Sequence, residues 1–339
     1  MTEIPENQPP TVPAAFKDRR VGLILMGILQ MFCGGFFLLM GLLVSLVMIL
    51  PTPAGTTPPK MSDIAAALVI FAGTAIFFIW TGIGAMLARR WARALMLMTS
   101  WIWLIGGIIT VISMGFVLPQ IFASLPQQGG TSLPDDLKTT MIISIMAFYT
   151  VIFVLVPLIF LLFYRSQHVK ATCEFRNPQP CWTDRCPLPV LAMSLAAWMI
   201  APLLCLSILK GSPFPFFGMM LSGAAGNVLL LVVAVVWGYA AWGCYRLKMS
   251  SWWILQILMV FHCVSVGITI QVLGVGTFYQ ALGMPPEQVD MLMSGPFASV
   301  AVFMLMNFLT WATWLWYLVW IRHHFIETPA GRLPERGHL

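Results

Sequence analysis

Eight long apolar runs contain no Asp, Glu, Lys or Arg, and together they make up most of the 339 residues. They cover roughly Val21–Leu50, Ile64–Ala88, Ala94–Leu118, Met141–Tyr164, Leu188–Leu209, Leu221–Tyr245, Trp252–Val275 and Phe297–Ile321. About 20 apolar residues in helical form cross the hydrocarbon of a bilayer. Inside hydrocarbon, every backbone N–H and C=O must find its partner within the chain. A continuous run meets that demand as a helix, whereas a barrel strand would alternate between apolar and polar residues. The expected fold is therefore all-α, a polytopic membrane protein with eight transmembrane helices. Soluble domains do not carry 59% hydrophobic and only 9% charged residues.

The same feature limits function. Pumps, ion-coupled carriers and voltage sensors place ionisable groups at membrane depth. Here only His262, about ten residues into the seventh run, meets that description. Its expected role is structural, a neutral imidazole bonded to a neighbouring polar group, with a functional role as the sharper alternative. Gln256 and Asn307 complete the candidate polar site within the membrane. Gln30, Asn227 and Gln271 are further polar residues at depth.

The net charge of +6 does not indicate nucleic-acid binding. Fifteen of the eighteen basic residues lie in the two tails or in the loops after the second, fourth and sixth runs; only Lys60, Lys138 and Lys210 lie elsewhere. This positive-inside bias predicts both termini in the cytoplasm. Residues 1–16 are polar and rich in proline, and are expected to form a disordered tail without a cleaved leader.

Residue spacing predicts a tandem duplication. Trp80 and Trp237, Arg89 and Arg246, Thr150 and Asn307, and Arg165 and Arg322 are each 157 apart, while Asp18-Arg19 and Asp184-Arg185 are 166 apart. The expected division is a four-helix repeat at 17–164, a connector at 165–187, a second four-helix repeat at 188–325 and a tail at 326–339. Four helices per half leave both halves the same way up, which makes the repeat parallel. Gly27, Gly34 and Gly41, spaced by seven with Ser45 beyond them, predict an internal helix–helix contact.

Gly82-x-Gly84 followed by Arg89-Arg90-Trp91-Ala92-Arg93 reads as a tight basic hairpin. It is similar to a hairpin of small four-helix bacterial membrane proteins; the likeness implies no activity. A bacterial inner membrane is the expected location.

The connector holds His168, Cys173, Cys181 and Cys186. Three thiols and an imidazole are a tetrahedral zinc donor set, but no close C-x2-C pair is present, so the expected reading is a proline-stiffened connector without metal. No disulfide framework is expected from seven cysteines, four of them in spans. No cofactor is expected: one intramembrane histidine cannot make a bis-histidine haem site, and H-E-x-x-H, G-x-S-x-G, Walker and Rossmann patterns are absent. The expected partners are membrane lipids and a second membrane-protein subunit. An accessory or partner-binding role is favoured, ahead of a permease for neutral or apolar small molecules and an interfacial lipid-modifying enzyme.

Overall fold

The structure, a computed structural model, describes residues 16–47, 61–124, 134–284, 286–293 and 298–327. Most of the N-terminal tail, most of the first loop and most of the C-terminal tail lie outside the described residues. Among the described residues, eight helical segments are long and apolar enough to cross a membrane. They are α1 (Arg20–Val47), α2 (Met61–Met86), α3 (Arg90–Ser124), a fourth built from α4 (Asp135–Thr150) and α5 (Val156–Arg165), α7 (Leu188–Leu209), α8 (Gly223–Tyr245), α9 (Met249–Leu273) and α12 (Val300–Ile321). The short helices α6 (Gln167–Arg176), α10 (Val275–Ala281), α11 (Pro286–Met293) and α13 (His323–Glu327) lie between or after them.

Two local features depart from plain helix. Between α4 and α5, Val151–Leu155 forms a π-helical turn. Pro157 explains it: with no N–H, proline cannot bond the carbonyl four residues back, that of Phe153, and the helix widens. A Cβ added to Gly107 of α3 would overlap that carbonyl oxygen, so only glycine permits this contact. A Cα–H can then serve the exposed carbonyl as a weak donor. The second feature is a hairpin that hydropathy did not reveal. β1 (Phe214–Phe216) pairs antiparallel with β2 (Met219–Leu221), pairing Phe214 with Leu221 and Phe216 with Met219. Thr269 Oγ1 accepts from Gly218 N, while Ser265 Oγ accepts from Phe217 N and donates to the Pro215 carbonyl. The hairpin is thereby held on α9, and its turn groups are paired.

The glycine stripe of α1 lies against α2. A Cβ on Gly27 would sit 2.7 Å from the Gly82 carbonyl oxygen, and one on Gly34 would sit 3.0 Å from that of Ala75. The contact is reciprocal, since a Cβ on Gly82 would lie 2.8 Å from the Gly27 oxygen. Lipid tails are as apolar as leucine, so close backbone approach rather than the hydrophobic effect joins these helices.

Packing is concentrated at the end that carries the basic loops. One core cluster joins Leu23, Ala85, Ala88, Met96, Leu97, Phe160 and Tyr164. The other joins Val190, Leu191, Trp237, Cys244, Leu255, Leu318 and Ile321, and takes in Leu95 and Met98 of α3. These are the first turns of α1, α3, α7 and α9 and the last turns of α2, α5, α8 and α12. Toward the opposite end contacts thin out: α4 has no buried residue, and in α12 only Leu318 and Ile321 are buried. A smaller cluster of Val266, Ile270, Val275 and Phe278 closes the far end of α9. α9 is thus packed at both ends, with no buried residue from Val260 to Val264 between them.

Two stretches of the chain share a pattern of burial. The order of buried, half-buried and exposed positions over 72–87 recurs without a change at 231–246, a separation of 159 residues rather than 157. The turns that follow agree. Ala88 (φ 52°) and Leu247 (φ 56°) both take the left-handed conformation. Arg89 N donates to the Gly84 carbonyl as Lys248 N does to that of Gly243, the bonds of a Schellman helix end. At this separation Arg89 aligns with Lys248. Trp80 is 48% exposed and corresponds to Tyr239 at 49%, while Phe78 (4%) corresponds to Trp237 (6%). Trp80 and Trp237, paired by identity at 157, differ in exposure: one faces outward and the other the core. In the last spans the 157 spacing persists in the buried pairs Leu161–Leu318 and Tyr164–Ile321. In the first spans Leu23–Val190 and Gln30–Ala197 are 167 apart rather than 166.

Leucine at Gly27 or Gly82 should force α1 and α2 apart and cost about 3 kcal/mol. Gly35→Ala, whose added Cβ meets nothing within 4 Å, should stabilise by up to about 1 kcal/mol. Thermal unfolding of the purified variants in one detergent checks both; equal effects at Gly27 and Gly35 would contradict the glycine contact.

Candidate functional site

The connector is a folded clip over the basic end. Arg176 pairs with Asp18 at 2.9 Å, and Arg19 N donates to Thr172 Oγ1 at 3.0 Å, which fastens the start of α1 onto α6. On the other side, Tyr245 Oη donates to the Trp182 carbonyl and Tyr317 Oη to that of Pro189. The two Asp-Arg dipeptides are not internal pairs. Asp18 accepts from Arg20 N at the start of α1, and Asp184 accepts from Cys181 N, closing the 3-10 turn Trp182–Arg185.

The four residues considered for zinc are dispersed. Cys173 is buried in the first core cluster and Cys186 in the second. Cys181 Sγ contacts Thr183 and Asp184, and His168 Nδ1 accepts from Lys17 N. Among the described residues no three His, Cys, Asp or Glu side chains form a group able to hold a metal ion. Burial pushes the Cys173 thiol up to about 11 and the Cys186 thiol up to about 12. Both stay protonated at neutral pH, the form that neither ligates metal nor attacks an electrophile.

A different constellation is assembled here. Arg90, Arg93, Lys170, Cys173, Glu174, Thr183, Asp184 and Cys186 line a cleft of about 440 Å³ bounded by α3, α6 and the first turn of α7. Arg90 reaches Asp184 at 3.3 Å and Glu174 at 3.7 Å. Among the described residues Arg93 makes no ion pair, and the Nε atoms of both arginines are buried without an acceptor. Sequence reasoning treated Arg89–Arg93 only as a turn and an orientation signal. The available clue was that three of its residues are arginines, while the acids able to neutralise them are far away in the chain. Only the folding of the connector brings Glu174 and Asp184 close.

The intramembrane candidates do not share one pocket. Asn307 Nδ2 donates to the Cys263 carbonyl at 2.9 Å, tying α12 to α9. These two residues line an apolar groove of about 450 Å³ with Val264, Gly267 and Trp311. His262 does not line that groove; it is exposed at the unpacked waist of α9. Gln256 is 7% exposed, lies closer to the basic end, and has no partner for its Nε2 among the described residues.

No family model, no curated protein and no solved structure matches the chain.

Zinc added to the purified protein should leave its unfolding temperature unchanged, and maleimide at pH 7 should modify Cys173 and Cys186 only after denaturation. Mass spectrometry of labelled peptides reads this out, and rapid labelling of either thiol in the folded protein would contradict it. A second expectation concerns pH. The Arg176 guanidinium and the Arg20 N–H hold the Asp18 carboxyl below its ordinary value. A depressed carboxylate contributes its tether fully above the ordinary carboxylate range and loses it as pH falls through the lowered value. Acidification below that range, or Asp18→Asn at neutral pH, should therefore free the segment before α1. Trypsin cutting at Lys17 and Arg19 faster than in the wild type at pH 7 is the expected sign.

Proposed function

We propose that this integral membrane protein is a non-catalytic, partner-binding subunit. It consists of two four-helix halves that arose by tandem duplication and are inserted the same way up. Its basic end, with both termini, faces the cytoplasm of a bacterial inner membrane. The repeated burial pattern over 72–87 and 231–246 supports the duplication, and the distribution of basic residues supports the orientation.

The observation that carries the partner reading is the waist of α9. An imidazole at membrane depth normally faces the bundle interior and pairs there. His262 instead is exposed, and no hydrogen bond joins it to another described residue. A second membrane protein seated at the waist would satisfy it. The weak packing of α4 and α12 away from the basic end leaves surface for such a contact.

The permease reading has less support. Carriers of duplicated design break their helices at matching depths in both halves. The π turn at Val151–Leu155 has no counterpart in α12, which runs without interruption from Val300 to Ile321. The lipid-modifying reading needs several outer-loop polar groups converging on one pocket. Asp135, the first residue of α4, is instead engaged by Lys138 at 3.2 Å.

Gentle solubilisation followed by affinity purification and mass spectrometry tests the proposal. The wild type should retain one membrane protein in stoichiometric amount. His262→Leu should leave the fold intact and weaken that association about fivefold, the equivalent of one interhelical hydrogen bond of about 1 kcal/mol. A wild-type protein that purifies alone under several mild detergents would sink the reading.

A further inference from the structure

We propose that the cleft between α3, α6 and the connector is a binding site for a phosphate group, with Arg93 and Lys170 as its principal ligands. The inference is independent of the partner reading, which concerns the waist of α9. It begins with a mismatch of charge. Three cations line the cleft, Arg90, Arg93 and Lys170, against two carboxylates, Glu174 and Asp184. Both carboxylates are engaged by Arg90. Arg93 and Lys170 form no ion pair with any described residue; Glu174 and Asp184 act on Arg93 only through longer-range attraction, and the cleft keeps one positive charge in excess.

The second observation is the state of the guanidinium groups. A buried N–H without an acceptor is rare in folded proteins, because each one gives up water and gains nothing. Two such groups belong to residues that line this cleft, Arg90 Nε and Arg93 Nε. Guanidinium is a planar fork of donors whose geometry suits a phosphate or carboxylate. The carboxylates at hand are already bound to Arg90. A phosphate has oxygens enough to accept from both arginines and the lysine together. Burial keeps the Cys173 and Cys186 thiols protonated, so they add no competing negative charge.

The depth of the cleft agrees with this ligand. Arg93 lies in the first turn of α3 beside Trp91, which stacks on Trp80 at a ring separation of 4.3 Å. Indole rings favour the headgroup level of a bilayer. A phosphate at that level comes from a lipid headgroup or from a soluble phosphate reaching the same face.

Full-length protein in a neutral detergent provides the test, with thermal unfolding and native mass spectrometry as readouts. The probes are phosphatidic acid, phosphatidylcholine and inorganic phosphate, with chloride used to hold ionic strength constant. Phosphatidic acid should raise the unfolding temperature and stay bound in the gas phase, where phosphatidylcholine does not. Arg93→Gln and Lys170→Gln should each weaken binding about tenfold, the loss of a charge-assisted contact. Arg89→Gln, an exposed basic residue outside the cleft, should bind as the wild type does. If inorganic phosphate produces the same stabilisation with the same sensitivity to the two variants, the source is soluble phosphate and the site stands. The proposal fails if neither phosphate probe exceeds its control, or if Arg93→Gln and Lys170→Gln bind like the wild type. Should Arg93→Gln not fold, Lys170→Gln decides, since its side chain is exposed.

Discussion

Close approach of backbone to backbone is the interaction on which this architecture rests. In lipid, two leucines gain little from meeting each other, so helices associate where small residues let main chains touch. Gly27 against Gly82, Gly34 against Ala75, and Gly107 against Phe153 are such places. The same requirement recurs at the hairpin turns. A Cβ on Gly84 would lie 2.7 Å from Ala92 Cβ, and one on Gly243 would overlap Ser251 Oγ. Each glycine lets the following helix start tightly against the preceding one. The left-handed Ala88 and Leu247 that complete these turns cost about 1 kcal/mol each, which the packing of the joined helices offsets.

From these contacts follows the uneven distribution of the core. Turns fix helix ends, and the two short basic-side turns, with the folded connector, hold their helices together at one end. Trp252 adds a further tie there: its Nε1 donates to the Leu318 carbonyl, and Arg322 lies over its ring at 5.5 Å. Away from this end the ties are fewer: the Gly107 contact with the Phe153 carbonyl, the Asn307 bond to the Cys263 carbonyl and the hairpin on α9, with side-chain packing between them. The hairpin Phe214–Leu221 and helix α10 brace the far end of α9, leaving its waist uncovered.

Much of the fold was legible in the sequence because hydrocarbon imposes so strict a rule. Eight charge-free runs could be little else than eight helices, and the boundaries shift by only a few residues at most ends. The glycine stripe was legible for the same reason. What escaped were features decided by pairing in space. The β hairpin escaped because Phe214–Leu221 is apolar and short, like any fraying helix start, and only its bonds to Ser265 and Thr269 select the strand form. The recurrence of the burial pattern of 72–87 at 231–246 escaped because tryptophan suits either lipid or core. The cleft escaped because its residues come from three separated segments and no spacing rule joins Arg93 to Lys170. His262 was visible at once, but its exposure was not, since the sequence cannot tell which side of α9 the neighbouring helices leave open.

Arg93 and His262, two of the polar groups left without a hydrogen-bond partner among the described residues, differ in kind, and the difference suits them to different roles. Arg93 lies at the packed end, where neighbouring turns fix its position, so its unpaired donors form a preorganised site that selects a ligand by geometry. His262 lies at the slack waist of α9, where neighbours are few and flanking residues are free to adjust. A rigid charged fork suits a small anion of fixed shape, whereas a neutral, two-faced imidazole on a loosely packed helix suits another helix that adapts to it. The positions follow from one cause. Backbone contacts crowd the basic end, where a charge can remain near the headgroups, and are sparse at the membrane centre, where only a neutral polar group is tolerable.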